Sequence, residues 1–164
     1  MERNLLQQRT EQSKRTFSRE VLDRLSTLNR GELALLADAS GQEGAHLMWV
    51  AACRRYELIG EFAREVIREK YLIMTPELGF DDFDDFVRSK SLWHDELNEL
   101  KATTLRKLRQ NVFRMLRDSE LLSEGGRIVP ILLSTRLAES FARDGGGSLK
   151  FFPITDIEIE RVAR

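Results

Sequence analysis

Residues that bind metals or act as nucleophiles are scarce in this 164-residue sequence, which has one cysteine, Cys53, and two histidines, His46 and His94. One cysteine closes no internal disulfide, and a zinc site needs several Cys or His ligands. The run Gly145-Gly146-Gly147-Ser148-Leu149-Lys150 lacks the Gly-Lys-Ser/Thr order of a phosphate loop. We therefore expect no catalytic residue, no metal, no cofactor and no small-molecule substrate, so the protein is predicted not to be an enzyme.

Long apolar runs are also absent. The longest nearly unbroken one covers residues 45–53, with only His46 interrupting it, whereas a membrane helix needs about 20 apolar residues. The sequence begins Met-Glu-Arg-Asn, without the apolar stretch of an export signal. We expect a cytoplasmic protein with no membrane partner. Within the apolar run, Cys53 is predicted to be buried and His46 to be a hydrogen-bonded core residue.

Two acidic patterns have structural explanations. The run Phe80-Asp81-Asp82-Phe83-Asp84-Asp85-Phe86-Val87 places carboxylates where a helix begins, which favours the positive end of the helix dipole. It lacks the glycine and the closing glutamate of a calcium loop. His94-Asp95 matches the paired residues of metal phosphohydrolases, but the additional histidines of such sites are missing. We expect His94 to lie near the start of a helix instead.

Helical spacing dominates the rest of the chain, which is long enough for one domain over residues 1–164. The predicted fold class is mainly α, a compact helical bundle with at most two short β-strands. Helices are predicted over residues 17–28, 32–39, 42–72, 93–100, 105–117 and 131–143, with another beginning at Phe80. The candidate strands are residues 127–130, which end at Pro130, and residues 149–152.

One predicted helix is strongly asymmetric in charge. Residues 101–117 hold six basic side chains and no acidic one. At 100° per residue, one side of the helix collects Leu105, Leu108, Val112, Met115 and Leu116, and the opposite side collects Arg106, Lys107, Gln110, Arg114 and Arg117. One face is therefore predicted to pack and the other to be exposed and cationic. Thr103 or Thr104 is the predicted N-cap.

The cationic side carries the residue types that contact phosphates and base edges. We predict that nucleic acid, above all duplex DNA, binds at Lys101, Thr104, Arg106, Lys107, Arg109, Gln110, Arg114 and Arg117. Over residues 93–153 the order of short helix, Thr-containing turn, basic helix, glycine turn and strand is typical of a winged helix-turn-helix. Two alternatives remain open: a solvated basic face without a ligand, and a face that meets an acidic protein surface.

Several stretches resemble the BrxA family of BREX bacteriophage-exclusion systems. The similarity follows the chain in order, through Asn4-Leu5-Leu6-Gln7-Gln8-Arg9-Thr10, Arg24-Leu25-Ser26-Thr27-Leu28, Trp49-Val50-Ala51-Ala52-Cys53-Arg54-Arg55-Tyr56, Trp93-His94-Asp95-Glu96-Leu97, Thr104-Leu105-Arg106-Lys107-Leu108-Arg109-Gln110 and Phe113-Arg114-Met115-Leu116-Arg117.

The resemblance implies a helical fold similar to the RNA-antitermination factor NusB, a role in phage defence, DNA binding and no known catalytic activity. It also implies other subunits of the defence system as partners. We expect family members to carry an additional segment ahead of the Asn4-Leu5-Leu6 stretch, whose contribution this sequence would lack. A scaffold subunit of the same complex and a NusB-type RNA-binding protein remain the alternative functions.

Overall fold

The computed structural model describes the backbone of residues 2–162 and the side chains of residues 12–162. The side chains of the Asn4–Thr10 stretch therefore lie outside the described residues. The chain is mainly helical, as predicted. Its helices are α1 (Glu2–Leu25), α2 (Arg30–Ala37), α3 (Gly41–Arg55), α4 (Glu57–Phe62), α5 (Glu69–Leu72), α6 (Phe80–Lys90), α7 (Asp95–Asn98), α8 (Ala102–Asp118), α9 (Thr135–Ala142) and α10 (Asp156–Val162). A π-helical segment (Ala63–Arg68) joins α4 to α5, and a 3-10 helix (Ser148–Phe151) follows α9.

Helix α3 lies at the centre of the core. It begins at a capping box, in which Ser40 Oγ accepts from the Glu43 amide and the Glu43 carboxylate accepts from the Ser40 amide. Its apolar run is buried except at Ala45 and Met48, which are partly exposed, and the helix contacts α1, α2, α4, α8 and the 3-10 helix. The predicted burial of Cys53 and His46 is confirmed. His46 Nε2 donates to the Ser119 carbonyl at 3.1 Å, and Trp49 Nε1 donates to the Phe151 carbonyl at 2.9 Å.

The single helix predicted over residues 42–72 is interrupted at Tyr56, so that prediction is wrong. Tyr56 has an extended backbone with φ −116° and ψ 100°, and a new helix, α4, begins at Glu57. Gly60 makes this junction possible, because a Cβ at that position would lie 2.6 Å from the Cys53 carbonyl oxygen and 3.2 Å from the Phe151 ring. The π-helical segment then carries Ala63 and Ile67 into the core.

The two candidate strands do not form a sheet. Residues 127–130 contribute only isolated antiparallel bridges, Arg127 with Glu77 and Ile128 with Leu122. Residues 149–152 fall mostly in the 3-10 helix, which follows Gly145 and Gly146 at φ 78° and 76°. Leu149, Phe151 and Phe152 are buried there, so the apolar run is explained by packing without a partner strand. The strand expected to complete a wing over residues 93–153 is therefore absent from the described chain.

The last helix, α10, was not predicted. The buried Arg68 ties this region to the core, because its Nε donates to the Ile154 carbonyl at 3.0 Å and its Nη2 meets Asp156 at 2.7 Å. Within residues 2–162, no helix is long and apolar enough to cross a membrane.

Candidate nucleic-acid interface

The helix α8 has the orientation that its sequence predicted. Val112, Phe113 and Leu116 are buried. Leu105, Leu108 and Met115 are partly buried and pack against the core cluster. Phe113 also packs edge-on against Phe80 with ring centroids 4.8 Å apart, so α8 is joined to α6. The packing side fixes which side chains of α8 face solvent.

The opposite side, here called the cationic face, is exposed. It comprises five of the eight predicted site residues, namely Arg106, Lys107, Gln110, Arg114 and Arg117. Lys101 and Thr104 are also exposed, but they lie at the N-terminal end of the helix and outside this face. None of the ion pairs formed within residues 12–162 involves a cation of this face. Arg114 Nη2 contacts only the neutral Asn111 Oδ1, at 3.2 Å. Within residues 12–162, no acidic side chain offsets these charges.

The structure places Arg109 apart from the cationic face. Its Nη1 forms an ion pair with Asp84, and its guanidinium lies over the Phe80 ring, 4.4 Å from the centroid. Only about 20% of the side chain is exposed. Position 109 lies at the edge of the packing side, where α6 presents an acid and an aromatic ring to it. Arg109 therefore contributes to the contact between α6 and α8, not to the exposed set.

The start of α8 also differs from the prediction. Lys101 is the N-cap, with φ −66° and ψ 146°, and its carbonyl accepts from the amides of Thr104 and Leu105 at 2.9 and 3.1 Å. The predicted caps, Thr103 and Thr104, lie inside the first turn. Both are exposed in that turn. Thr103 is a candidate contact that the capping assignment had hidden.

Acidic side chains mark the other end of this face. Helix α8 ends at Asp118, and Glu120 follows in the left-handed region at φ 58°. Glu120 accepts from Gln42 Nε2 at 2.7 Å. The exposed basic side chains of α8 are therefore followed directly by the acidic residues Asp118 and Glu120.

A cavity of about 500 Å³ opens beside the first turns of α8. Helices α6 and α7 form its other walls, and the lining residues are Phe83, Asp84, Val87, Arg88, Ser91, Leu97, Asn98, Leu100, Ala102, Leu105, Arg106 and Arg109. Arg106 belongs both to this cavity and to the cationic face. The sequence did not predict the cavity, because its walls come from three separate helices and no sequence motif links them.

A second groove, of about 480 Å³, separates α1 from α8. Apolar side chains of Tyr56, Leu58, Ile59, Leu108 and Met115 line it together with Glu20, Arg24, Arg55, Glu57 and Asn111. One turn earlier on α1, Phe17 is 69% exposed. This groove lies beside the packing edge of α8, not on the cationic face.

The histidines do not form a reactive group with other residues. His94 is the N-cap of α7, as predicted, and its Nδ1 lies 3.3 Å from the exposed Glu96. Burial lowers the pKa of the His46 imidazole below its usual value. Among residues 12–162, no group of three or more His, Cys, Asp or Glu side chains is placed to hold a metal ion.

Comparison with known proteins supplies the family. The BrxA family model matches residues 1–145. The BREX protein BrxA of Escherichia coli O9:H4 (strain HS) is 22% identical over 116 residues, which cover 71% of this chain and 54% of that protein. An uncharacterized protein from Magnetospirillum magneticum has a similar crystal structure, with a TM-score of 0.71 and 20% identity, over 80% of this chain and 72% of that one. The chain spans about half the length of the curated relative. The match over most of its residues shows that the chain belongs to the BrxA family.

Proposed function

We propose that this protein is a non-catalytic DNA-binding component of a bacterial phage-defence system of the BREX type. The observation that carries the proposal is the cationic face of α8. Its basic residues, Arg106, Lys107, Arg114 and Arg117, line one side of a helix, and Lys101 precedes them at the N-cap. All five are outside every described ion pair. The helix itself is held by Val112, Phe113 and Leu116.

The chemistry of this face suits the backbone of a duplex. Arginine and lysine side chains neutralise phosphates, and the amide of Gln110 adds a hydrogen-bonding group between them. The Thr104 hydroxyl adds another at the N-terminal end of the helix. Phosphate contacts fix position but read no sequence, whereas a single amide adds little base readout. We therefore expect binding that is sensitive to salt and weakly selective for sequence.

The role in defence rests on the family and on the relative from Escherichia coli, which is named as a BREX protein. Since the chain spans about half of that relative, its partners are part of the proposal. We propose that it acts in the cytoplasm beside other subunits of the defence system.

A protein-docking role is the second candidate, and the groove between α1 and α8 favours it. Leu108 and Met115 are only partly buried there, and Tyr56, Leu58 and Ile59 line the same groove. Such a surface suits an apolar helix of a partner subunit. A NusB-type RNA-binding role shares the phosphate chemistry of the cationic face, and the choice of nucleic acid in the experiment below separates it from DNA binding.

The test is a gel-shift titration of the protein with duplex DNA, single-stranded DNA and duplex RNA at several salt concentrations. If three to five phosphates are neutralised, log K for duplex DNA falls with log salt at a slope of about −3 to −5. Tighter binding to duplex RNA would favour the RNA-binding role. The absence of binding to every nucleic acid at low salt would refute the proposal and favour docking.

A further inference from the structure

We propose that the cavity between α6, α7 and α8 accepts one unpaired nucleotide of the bound DNA, with its base stacked on Trp93. The protein would then prefer duplexes with a single-stranded end over blunt duplexes. This inference rests on the proposed DNA binding, and it adds a second site to the cationic face.

The lining of the cavity matches the two halves of a nucleotide. Val87, Leu97 and Leu105 provide apolar surface, and Arg88 and Arg106 provide positive charge. The one acid in the lining, Asp84, is already paired with Arg109, so its charge is offset. Arg88 Nη1 is itself paired with Asp85 at 2.8 Å, so among residues 12–162 Arg106 is the lining cation that no acid offsets. An apolar wall beside such a cation suits a ligand that has a flat apolar part and an anionic part.

The polar groups of the cavity are fixed in place. Asn98 Nδ2 donates to the Ser91 carbonyl at 3.0 Å, and Ser91 Oγ donates to the Arg88 carbonyl at 2.7 Å. Asn98 is therefore oriented, and its Oδ1 receives no hydrogen bond from the side chains of residues 12–162. That oxygen is an acceptor for the amino or imino hydrogens along the edge of a base.

Two large exposed apolar side chains follow the lining residue Ser91 in the sequence, although neither belongs to the lining itself. Trp93 is 84% exposed and Leu92 is 77% exposed, two and one positions beyond Ser91. The turn that carries them is ordered, because the amides of Trp93 and His94 donate to the Lys90 carbonyl at 3.0 and 3.1 Å. The indole is thus presented to solvent from a fixed backbone.

The ligand of the cavity is inferred from its positive charge and from its contact with the cationic face through Arg106. Arg106 lies on the cationic face and in the cavity wall, so a DNA strand that follows α8 towards its first turn reaches the cavity. A base can enter the cavity only if it has left the duplex, and each base that stacks on an aromatic side chain adds about 1–3 kcal/mol of affinity. An unpaired nucleotide at a duplex end satisfies both conditions.

The experiment measures dissociation constants by fluorescence anisotropy for three DNAs at one salt concentration. These are a blunt duplex, the same duplex with a single-stranded overhang, and the same duplex with an abasic overhang that keeps the phosphates. We expect the normal overhang to bind about 5- to 150-fold more tightly than the blunt duplex, the affinity equivalent of stacking one base. The abasic overhang should be close to the blunt duplex.

Two variants assign the preference to this site. Trp93→Ala should remove the difference between overhang and blunt duplex, whereas the matched control Leu92→Ala should retain it. Ala102→Phe, which adds a ring at an exposed position of the cavity wall, should also reduce it. A preference that persists in Trp93→Ala, or that the abasic overhang reproduces, would overturn the inference.

The two proposals fail in different ways. If the wild-type protein binds blunt and overhanging duplexes equally, with the expected salt slope, the nucleotide site is refuted and DNA binding stands. If it binds none of the three DNAs at low salt, DNA binding itself is refuted, and the nucleotide site is refuted with it.

Discussion

The Arg54 guanidinium donates two hydrogen bonds to the Glu32 carboxylate, from Nη1 to Oε2 at 2.7 Å and from Nη2 to Oε1 at 2.8 Å. The Glu32 side chain is 1% exposed, whereas that of Arg54 is 20% exposed. Arg54 also donates to the Thr27 carbonyl at 3.1 Å and to Ser148 Oγ at 2.8 Å, so it links three distant parts of the chain. Burial opposes its charge, but the bonds to Glu32 raise the pKa of Arg54 above its usual value.

Removal of this arginine should destabilise the protein strongly. Arg54→Ala leaves a buried carboxylate without its partner, and breaking a buried pair in this way costs about 3–5 kcal/mol. The matched control is Arg127→Ala, whose pair with Glu77 is exposed on both sides and contributes about 0–1 kcal/mol. Urea unfolding of the two variants measures the difference. Equal losses would show that Glu32 is solvated in the folded protein.

Two leucines on the same side of α8 should differ in their contribution to stability. Leu116 is fully buried, so Leu116→Ala should lower the free energy of unfolding by about 2–5 kcal/mol. Leu108 is only partly buried and lines the groove beside α1, so Leu108→Ala should cost less than Leu116→Ala. Chemical denaturation of the two variants measures their free energies of unfolding. The reverse order would mean that the groove is filled in solution.

Loss of charge from the cationic face should change binding without unfolding the protein. Arg106 and Arg114 are exposed, so the double change Arg106→Ala and Arg114→Ala should alter stability by less than about 0.5 kcal/mol per site. If each contacts one phosphate, the salt slope of duplex binding becomes shallower by about 2.

The control for that experiment removes the same charge elsewhere. Arg143→Ala with Lys150→Ala changes two exposed cations outside α8 and should leave the slope unchanged. If both double variants weaken DNA binding equally, net charge is responsible and the cationic face is not the specific contact surface. Thermal melts of the wild type and the two double variants verify that folding is intact.

The buried imidazole should make stability depend on pH. Since burial lowers the pKa of His46 in the folded state, the unfolded chain takes up a proton first as the pH falls through about 6.5. The wild type should therefore lose stability below that pH relative to His46→Gln, whose amide can still donate to the Ser119 carbonyl. Denaturation curves of both proteins at about pH 8 and about pH 5.5 measure the change. If the two proteins differ in free energy of unfolding by the same amount at both pH values, the lowered pKa of His46 is contradicted.

The sequence predicted α8 well because its periodicity and its charge asymmetry agree, and Val112 and Leu116 lie where 100° per residue places them. It failed at Tyr56, where no proline or capping residue marks a break. The cause is tertiary: Gly60 lets α4 approach the Cys53 carbonyl, and a lone glycine in a helical pattern is only a weak signal of this. The sequence also predicted a strand over residues 149–152, because a short apolar run is equally typical of a strand and of a buried helix.

Arg109 shows the same limit of sequence-based prediction at the candidate site. Its position on the helical wheel left it between the two faces, and the acid and ring that capture it, Asp84 and Phe80, come from α6. The cavity with Arg88 and Asn98 likewise depends on how α6, α7 and α8 assemble. Pairings of this kind follow from tertiary packing, so local pattern could not reveal them.

The central position of α3 has a consequence for hydrogen exchange. Because α3 contacts elements from the beginning, the middle and the end of the chain, its amides cannot meet solvent until all of these have separated. Native-state hydrogen exchange of its buried segment, residues 46–53, should therefore follow the global unfolding equilibrium, while the exposed α7 exchanges through local opening. The slowest protons of the molecule would then report on the fold as a single cooperative unit.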